Sequence, residues 1–210
     1  MLSLKKDYNK TQNIEYLSDQ GVILIVLGKY QEAIDLYKKI ESVKPDRYST
    51  ASNIGTAYEL IGNNQEALKW IRKAVQIDPE SHFGSEWIHI NILKSKVEGK
   101  EITSKFLIGQ DFGNSKTPQS NLDFGQLELL KQQIFYQLNE RISFVKPKDK
   151  IVARLLFDLG NIAYLLGENA DALEDFKMAK EYGFNDPIIE QRLTLEPKTV
   201  IKPTEQKEIK

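Results

Sequence analysis

The sequence predicts an all-α fold, a solenoid of paired helices that is interrupted near its centre. Three observations predict it. Shifting the chain by 34 residues against itself places Gly21 on Gly55 and residues 31–33 on the identical residues 65–67. Within each unit, apolar residues recur three and four positions apart, as on one face of a helix. A further copy of the same spacing starts at Ala153. A fixed period of this length indicates an array of helical repeats.

Each of the first two repeats is predicted as two helices followed by a stop. We expect both repeats within residues 14–81, after an N-terminal segment of residues 1–13. The first helix ends at a glycine, which adopts the left-handed conformation of a helix C-terminus without steric cost. The second helix ends before a proline, which cannot continue a helix. These stop residues are Gly28 and Pro45 in the first repeat and Gly62 and Pro79 in the second.

The middle of the chain follows the repeat less closely. Residues 82–98 have the apolar pattern of a first repeat helix, but no second helix follows. We expect an irregular loop over residues 99–121, with one short strand at 102–107. Residues 109–120 lack obvious apolar anchors, so we expect that stretch to be mobile and sensitive to proteases. A long helix is predicted over residues 122–145, where an apolar stripe returns at helical spacing.

The C-terminal part is predicted to contain one more repeat. It covers residues 150–186, where Gly160 and Phe176 reproduce the internal spacing of the earlier repeats. Residues 151–195 hold eight acidic and four basic side chains. That excess indicates either a solvated helix face or a docking patch for a basic partner. Residues 197–210 are rich in Lys, Glu, Thr and Pro, and we expect them to be disordered.

The composition limits the classes of function. The chain has 210 residues, a net charge of −1, 40% hydrophobic residues and 28% charged residues. Near-zero charge argues against a nucleic-acid partner, and no apolar run approaches the roughly 20 residues of a membrane span. The absence of cysteine excludes a disulfide scaffold, a thiol nucleophile and a cysteine-ligated zinc site. A cytoplasmic location is favoured, an exported form with its signal removed stays open, and the oligomeric state is not indicated.

Motifs for catalysis or cofactor binding are missing from the sequence. It contains no phosphate-binding loop, no nucleophile elbow and no dinucleotide-binding glycine fingerprint. We therefore expect no catalytic residue, no cofactor and no metal. The competing candidate is the set His82, Glu86 and His89, which one helix face could present to a metal ion. Its spacing differs from the His-Glu-x-x-His pattern of zinc proteases, so cap and surface roles are the simpler interpretation.

The repeats resemble the tetratricopeptide repeat (TPR) family, whose period is 34 residues. That family expects Gly at the eighth place of the repeat, a small residue at the twentieth, an aromatic residue near the twenty-fourth and Pro at the thirty-second. The matching residues are Gly21, Ala33, Tyr37 and Pro45 in the first repeat, and Gly55, Ala67, Ile71 and Pro79 in the second. The resemblance implies a right-handed α-solenoid of helix-turn-helix repeats with an irregular central insertion.

The resemblance also implies a concave groove lined by the first helix of each repeat. The candidate peptide- or partner-binding residues are Ser18, Val22, Ile25, Ser52, Asn53, Thr56, Leu60, Trp87, Ile90 and Asn161. Asn53 occupies the sixth place, which in the family often hydrogen-bonds a ligand backbone. One TPR subclass grips a C-terminal carboxylate with lysines and an arginine. Here Ser18 and Phe83 stand at the lysine places and Trp87 at the arginine place, so a more apolar groove is implied.

The resemblance implies a non-catalytic protein-interaction module that binds a peptide or a partner domain. The alternative is an enzyme or metal-dependent protein with its site in the 99–121 loop or at His82, Glu86 and His89. An RNA-binding helical repeat is a third hypothesis, disfavoured by the near-zero net charge and the few basic groove positions. Metal analysis and a hydrolase screen would separate the first two hypotheses.

Overall fold

The computed structural model describes residues 2–199, and in that range it contains helices and no strands. The all-α fold class is therefore confirmed. The chain forms two compact units that divide between Lys100 and Glu101. The helices of the first unit are α1 (Leu2–Thr11), α2 (Glu15–Val26), α3 (Tyr30–Val43), α4 (Tyr48–Leu60), α5 (Asn64–Ile77), α6 (Ser81–Gly84) and α7 (Glu86–Glu98).

Two helix pairs form the centre of the first unit, α2 with α3 and α4 with α5. Each pair closes where a glycine of the first helix faces a large side chain of the second. A Cβ atom added to Gly21 would overlap the ring of Tyr37, and one added to Gly55 would lie 2.5 Å from Ile71 Cδ1. The hydroxyl of Tyr37 donates a 2.9 Å hydrogen bond to the carbonyl oxygen of Ser18. The eighth and twenty-fourth places of each repeat therefore form one packing contact.

The third repeat of the first unit differs from the single helix predicted over residues 82–98. His82 and Phe83 lie inside α6 and have positive φ angles of 57° and 60°, so regular helix begins only with α7. Residues other than glycine are uncommon in this conformation. The ring of His82 is held there by contacts with Tyr48 and Glu86. Helix α7 then packs against α5.

Within the described residues, the second unit has one helix pair and three further helices. Its elements are α8 (Ser104–Ile108), α9 (Phe124–Phe144), α10 (Lys150–Leu165), α11 (Asn169–Glu181) and α12 (Ile188–Arg192). Helices α10 and α11 pack as a pair, and α9 also packs against α10. A Cβ atom added to Gly160 would lie 2.7 Å from Phe176 Cε1, so this pair repeats the contact between the eighth and twenty-fourth places.

The first twenty residues of the second unit are more ordered than the sequence predicted. The strand expected at 102–107 is wrong, because α8 forms there with the Thr103 side chain accepting a hydrogen bond from the Phe106 amide. The expectation that residues 109–120 lack apolar anchors is also wrong. Phe112 is 3% exposed, Pro118 is buried, and the Gln119 amide donates to the Phe112 carbonyl oxygen.

Part of the predicted disordered tail is bound to the second unit. The Lys198 amide donates to Asn169 Oδ1 at 2.8 Å, and Asn169 Nδ2 donates to the Lys198 carbonyl oxygen at 2.9 Å. The prediction of disorder is therefore wrong at the start of the segment, and residues 200–210 lie outside the described range. Across residues 2–199, no helix is both long enough and apolar enough to cross a membrane.

Candidate functional site

The first helices of the three repeats in the first unit lie next to one another. Helix α2 packs against α4. Helix α4 is joined to α7 by a 2.6 Å hydrogen bond between Glu59 and His89. The predicted groove positions of α2, α4 and α7 therefore belong to three neighbouring helices.

Most of the predicted groove residues of this unit are at least partly accessible. Val22 is 44% exposed. Six further candidates are half-buried: Ser52, Asn53, Thr56, Leu60, Trp87 and Ile90. Within residues 2–199 the side-chain amide of Asn53 forms no hydrogen bond with the protein, which leaves its donor and acceptor available to a ligand.

Two candidates in this unit are buried instead. Ser18 is 7% exposed and Ile25 is 3% exposed. Helix α2 packs against α1, α3 and α4, and α1 is a helix that the repeat pattern does not predict. The prediction that Ser18 and Ile25 face a groove is therefore corrected, because both side chains belong to the interior of the unit.

A buried charged network joins α4 to α7 on this side of the unit. His89 lies between two carboxylates, with Nε2 2.6 Å from Glu59 Oε2 and Nδ1 3.4 Å from Glu86 Oε2. Lys96 Nζ lies 2.6 Å from the other oxygen of Glu59. The Tyr48 hydroxyl donates to Glu86 Oε1 at 2.6 Å. Two carboxylates, one imidazole and one ammonium group thus form a continuous chain.

The environment sets the protonation of this network. Burial lowers the pKa of His89, but Glu59 and Glu86 outweigh burial and raise that pKa to about 9. Burial raises the pKa of Glu86, but hydrogen bonds with His82, His89 and Tyr48 hold it well below its usual range. At neutral pH His89 is a cation and Glu86 an anion, so the network holds opposite charges in balance.

This arrangement bears on the alternative metal site at His82, Glu86 and His89. Both ring nitrogens of His89 face carboxylate oxygens, and a protonated imidazole has no free electron pair for a metal. In the described part of the chain, no group of three His, Cys, Asp or Glu residues is arranged to hold a metal ion. Glu86 and His89 instead join α7 to α4, through Tyr48 and Glu59 respectively.

In the second unit, the side of α10 predicted to face a groove is occupied by the chain itself. Asn161 is completely buried, and its Oδ1 accepts a 2.6 Å hydrogen bond from Arg192 Nε. The Arg192 guanidinium also donates to the carbonyl oxygens of Gly113, Ser115 and Lys116. The prediction of Asn161 as a partner-binding residue is thus corrected. Its side-chain oxygen is bound by Arg192, which also holds the segment around Ser115 by hydrogen bonds.

Asp158 lies on the same helix and is fully buried. Its Oδ1 accepts a 2.5 Å hydrogen bond from the Ser104 hydroxyl of α8. Burial raises the pKa of Asp158 to about 7, against the lowering effects of Ser104 and Arg154. This carboxyl group therefore anchors α8 to α10 through its hydrogen bond with Ser104.

Comparison with known proteins identifies the repeats. The tetratricopeptide repeat family matches residues 18–82. Among curated proteins, the Protein CTR9 homolog of Arabidopsis thaliana is 32% identical over 59 residues, which are 28% of this chain. This chain spans about 5% of the length of that relative. A crystal structure of a tetratricopeptide repeat protein from Parabacteroides merdae is 20% identical, with a TM-score of 0.42 over 91% of this chain and 88% of that one.

The family match and the geometry agree on the same residues. The glycines at the eighth place, Gly21 and Gly55, lie inside the matched segment and pack against the residues at the twenty-fourth place. The chain therefore contains a segment, residues 18–82, that is similar to the tetratricopeptide repeat family.

Proposed function

We propose that this chain is a non-catalytic interaction module that binds an extended peptide segment of a partner protein on the side of α2, α4 and α7 in the first unit. TPR proteins serve in general as scaffolds for protein–protein interaction, and a function is carried by a site rather than by a fold. The proposed site consists of the accessible candidates Val22, Asn53, Thr56, Leu60 and Ile90.

The observation that carries the proposal is the amide group of Asn53. It is half-buried and forms no hydrogen bond within the described residues. A partly desolvated amide without a partner is costly unless a ligand or water satisfies it. One side-chain amide can both donate to and accept from the backbone of an extended peptide. Val22 and Leu60 add apolar surface that a peptide side chain can cover.

The buried network favours this binding role over an enzymatic one. Its function is explained by helix pairing, because His89 is charged and enclosed between Glu59 and Glu86. The other alternative, the 99–121 loop, has its backbone carbonyl groups engaged by Arg192. The hydroxyl of Ser104, in the same stretch, is bound to the buried carboxyl group of Asp158, where it links α8 to α10.

Site-directed photocrosslinking in an extract of the native cells tests the proposal. A photoreactive amino acid replaces Ile90 in one preparation and Arg72 in the other. Arg72 is an exposed residue of α5, the second helix of its repeat. We expect a partner band from the Ile90 position and none from Arg72. Equal labelling from both positions, or no labelling from Ile90, would contradict the proposal.

The identified partner then permits a titration with purified variants. The double substitution Val22→Glu and Asn53→Ala should weaken binding at least about tenfold, since anchors at a true interface cost more than about 1 kcal/mol each. Glu66→Lys, on the second helix α5, is the control and should bind as the unmodified protein does. Circular dichroism verifies that all three proteins keep their helices.

A further inference from the structure

The second unit contains a cavity of about 670 Å³. One face of α9, from Glu128 to Phe135, forms one wall, and one face of α11, from Asp171 to Met178, forms the other. Leu159 of α10 lines the cavity between them. On each wall the lining residues stand at positions i, i+3, i+4 and i+7, so they form a single stripe along the helix. We name this cavity the acidic groove.

The charge of the acidic groove is unbalanced. Five carboxylates line it, from Glu128, Glu168, Asp171, Glu174 and Asp175, and Lys131 is the one cation among the described residues that line it. Lys131 forms an ion pair with Glu168, so its charge balances only one of the five carboxylates. The acidic groove is therefore a region of negative potential between two walls of protein, where a cation would be attracted.

Burial and the neighbouring carboxylates shift the pKa of Asp175. Burial is the main cause that raises its pKa to about 7. The charges of Asp171, Glu174 and Glu168 add to the rise, and Lys131 opposes it. A cation bound beside Asp175 would favour its ionised form and lower this pKa, so binding and deprotonation support each other.

The acidic groove also has apolar surface. Phe135 is 60% exposed on the α9 wall, Met178 is half-buried on the α11 wall, and Leu159 is buried between them. A single metal ion does not fit this combination, because no three carboxylates in the described residues are arranged to ligate one. A free polyamine would satisfy the charge and leave Phe135 uncovered. The combination of apolar and anionic surface matches an amphipathic, basic segment of protein.

We propose that the acidic groove binds a basic amphipathic helix of a partner protein, with its lysines or arginines on the carboxylates and its apolar side chains on Phe135 and Leu159. The volume lies within the range of about 300–1,000 Å³ that is typical of ligand pockets. The two walls offer about two helical turns of contact length. This surface is separate from the peptide-binding side of the first unit, so the two proposals stand or fall independently.

Fluorescence anisotropy with designed peptides tests this proposal on the full chain. The probe is a fluorescein-labelled peptide with two Leu-Lys-Lys-Leu-Leu-Lys-Leu heptads. One comparison peptide has glutamate for each lysine, and another has serine for each leucine. We expect the Leu/Lys probe to bind at least about tenfold more tightly than either comparison peptide, because both charge and apolar contact are needed. Equal binding of the serine peptide would overturn the amphipathic-helix assignment.

Matched variants locate the binding. Glu174→Gln combined with Asp175→Asn should weaken the Leu/Lys probe about tenfold and reduce the salt dependence of its binding. Phe135→Ala should weaken it with the salt dependence retained. Glu32→Gln combined with Glu66→Gln removes the same charge from the first unit and should leave the affinity unchanged. If this control lost as much affinity as the groove variant, attraction by overall charge would account for the binding and the proposal would fail.

Two more measurements test whether the first unit binds the probe and whether a second copy of the chain occupies the acidic groove. Val22→Glu with Asn53→Ala should retain full affinity for the Leu/Lys probe, since that site lies in the first unit. Analytical ultracentrifugation should show the same oligomeric state for the chain and for the variant with Glu174→Gln and Asp175→Asn. A dimer that this variant dissociates would overturn the proposal in favour of a second copy of the chain as occupant. Thermal unfolding followed by circular dichroism excludes loss of fold as the cause.

Discussion

At the scale of single residues, charge pairing inside the first unit decides what its histidines do. His89 has both ring nitrogens opposite carboxylates, from Glu59 and Glu86, while Lys96 holds the second oxygen of Glu59. Removing one member of a buried network costs more than the network contributes, because it leaves the partner charge buried and alone. The network therefore fixes the position of α7 against α4. This matters in a repeat whose first residues, His82 and Phe83, depart from helical geometry.

His89→Gln tests the charge of this network through its pH dependence. The pKa of His89 rises from 6.5 to about 9 on folding, so the folded protein holds a proton that the unfolded chain loses between those values. Its stabilisation is complete below pH 6.5 and is lost as the pH rises through 9. Between pH 7 and 9.5 we expect the free energy of unfolding to fall by about 1–3 kcal/mol more in the unmodified protein than in the variant.

Urea unfolding at pH 6.5, 8 and 9.5 provides that comparison. The difference in the free energy of unfolding between the two proteins should be largest at pH 6.5. At that pH His89 carries its full charge in the unmodified protein, and the variant lacks it. A difference between the two proteins that stays constant over the three pH values would show that His89 is neutral in the folded state.

Residue pairing of this kind was beyond what the sequence could predict. His82, Glu86 and His89 attracted attention because they share one stretch of chain, and a metal was the competing interpretation. Glu59 is 30 residues from His89, and Arg192 is 77 residues from Ser115. Neither pair has a motif that links its members. The partner of the Glu59 carboxylate depends on how α7 lies against α4, and the sequence of the repeat does not encode that.

At the scale of elements, the recurring contact between a glycine and a large side chain sets the distance within each helix pair. Tyr37, Ile71 and Phe176 lie against Gly21, Gly55 and Gly160, always 16 residues later in the chain. The sequence predicted both places from the repeat. The structure shows that the side chain at the twenty-fourth place lies against the glycine at the eighth. Ile71 therefore fills, with a smaller side chain, the space that an aromatic residue takes in the other pairs.

Gly160→Ala tests that contact by the sign of its effect. In an exposed helix this change stabilises by roughly 0.5–1 kcal/mol, because alanine is the better helix former. Here the new methyl group would lie 2.7 Å from Phe176 Cε1 and 3.1 Å from the Ala172 carbonyl oxygen. We expect destabilisation of about 1–3 kcal/mol in urea unfolding, as for other overpacked cores. Adding Phe176→Leu should recover part of the loss, and a stabilised Gly160→Ala protein would contradict the packing contact.

The segment that carries Phe112 and Ser115 depends on one side chain of α12. Arg192 is 1% exposed and bonds to Asn161 and to three backbone carbonyl oxygens between Gly113 and Lys116. Arg192→Gln cannot reach these acceptors together, since it lacks the planar guanidinium fork. We expect trypsin to cut after Lys116 about tenfold faster in the variant, because local opening exposes the segment. Cleavage there at the same rate in both proteins, measured by mass spectrometry, would show that Arg192 does not hold the segment.

At the scale of the whole molecule, the repeating part was predictable and the connecting part was not. Period, glycines and prolines predicted the helix pairs, because each repeat encodes its own packing. Helices α1, α8 and α12 escaped prediction because they lie outside the period, and α8 and α12 have five residues each. The 102–107 stretch was predicted as a strand, but Thr103 caps a helix turn there. The predicted surface was also partly wrong: Ser18 and Ile25 lie in the interior of the first unit, and Arg192 of α12 bonds to the buried Asn161.

The division of the chain at Lys100 leads to a prediction about independent folding. The ion pairs that stabilise the first unit have both partners inside it. Examples are Arg47 with Glu15 and Lys96 with Glu59. A fragment of residues 1–100 should therefore be helical and should unfold in one cooperative transition. A fragment of residues 1–80 lacks α7, which leaves the carboxylate of Glu59 without His89 and uncovers the side of α5 on which α7 packs.

Terminal helices of repeat arrays protect the apolar face of the last repeat, so the shorter fragment tests whether α7 has this role. We expect it to be less stable than the longer fragment by about 2 kcal/mol or more, since an unpaired buried charge and exposed apolar surface both oppose folding. Urea unfolding of the two fragments, followed by circular dichroism, measures the difference. If the longer fragment showed no cooperative transition, its fold would need the rest of the chain. If both fragments were equally stable, the network between α4 and α7 would contribute nothing to holding the first unit together.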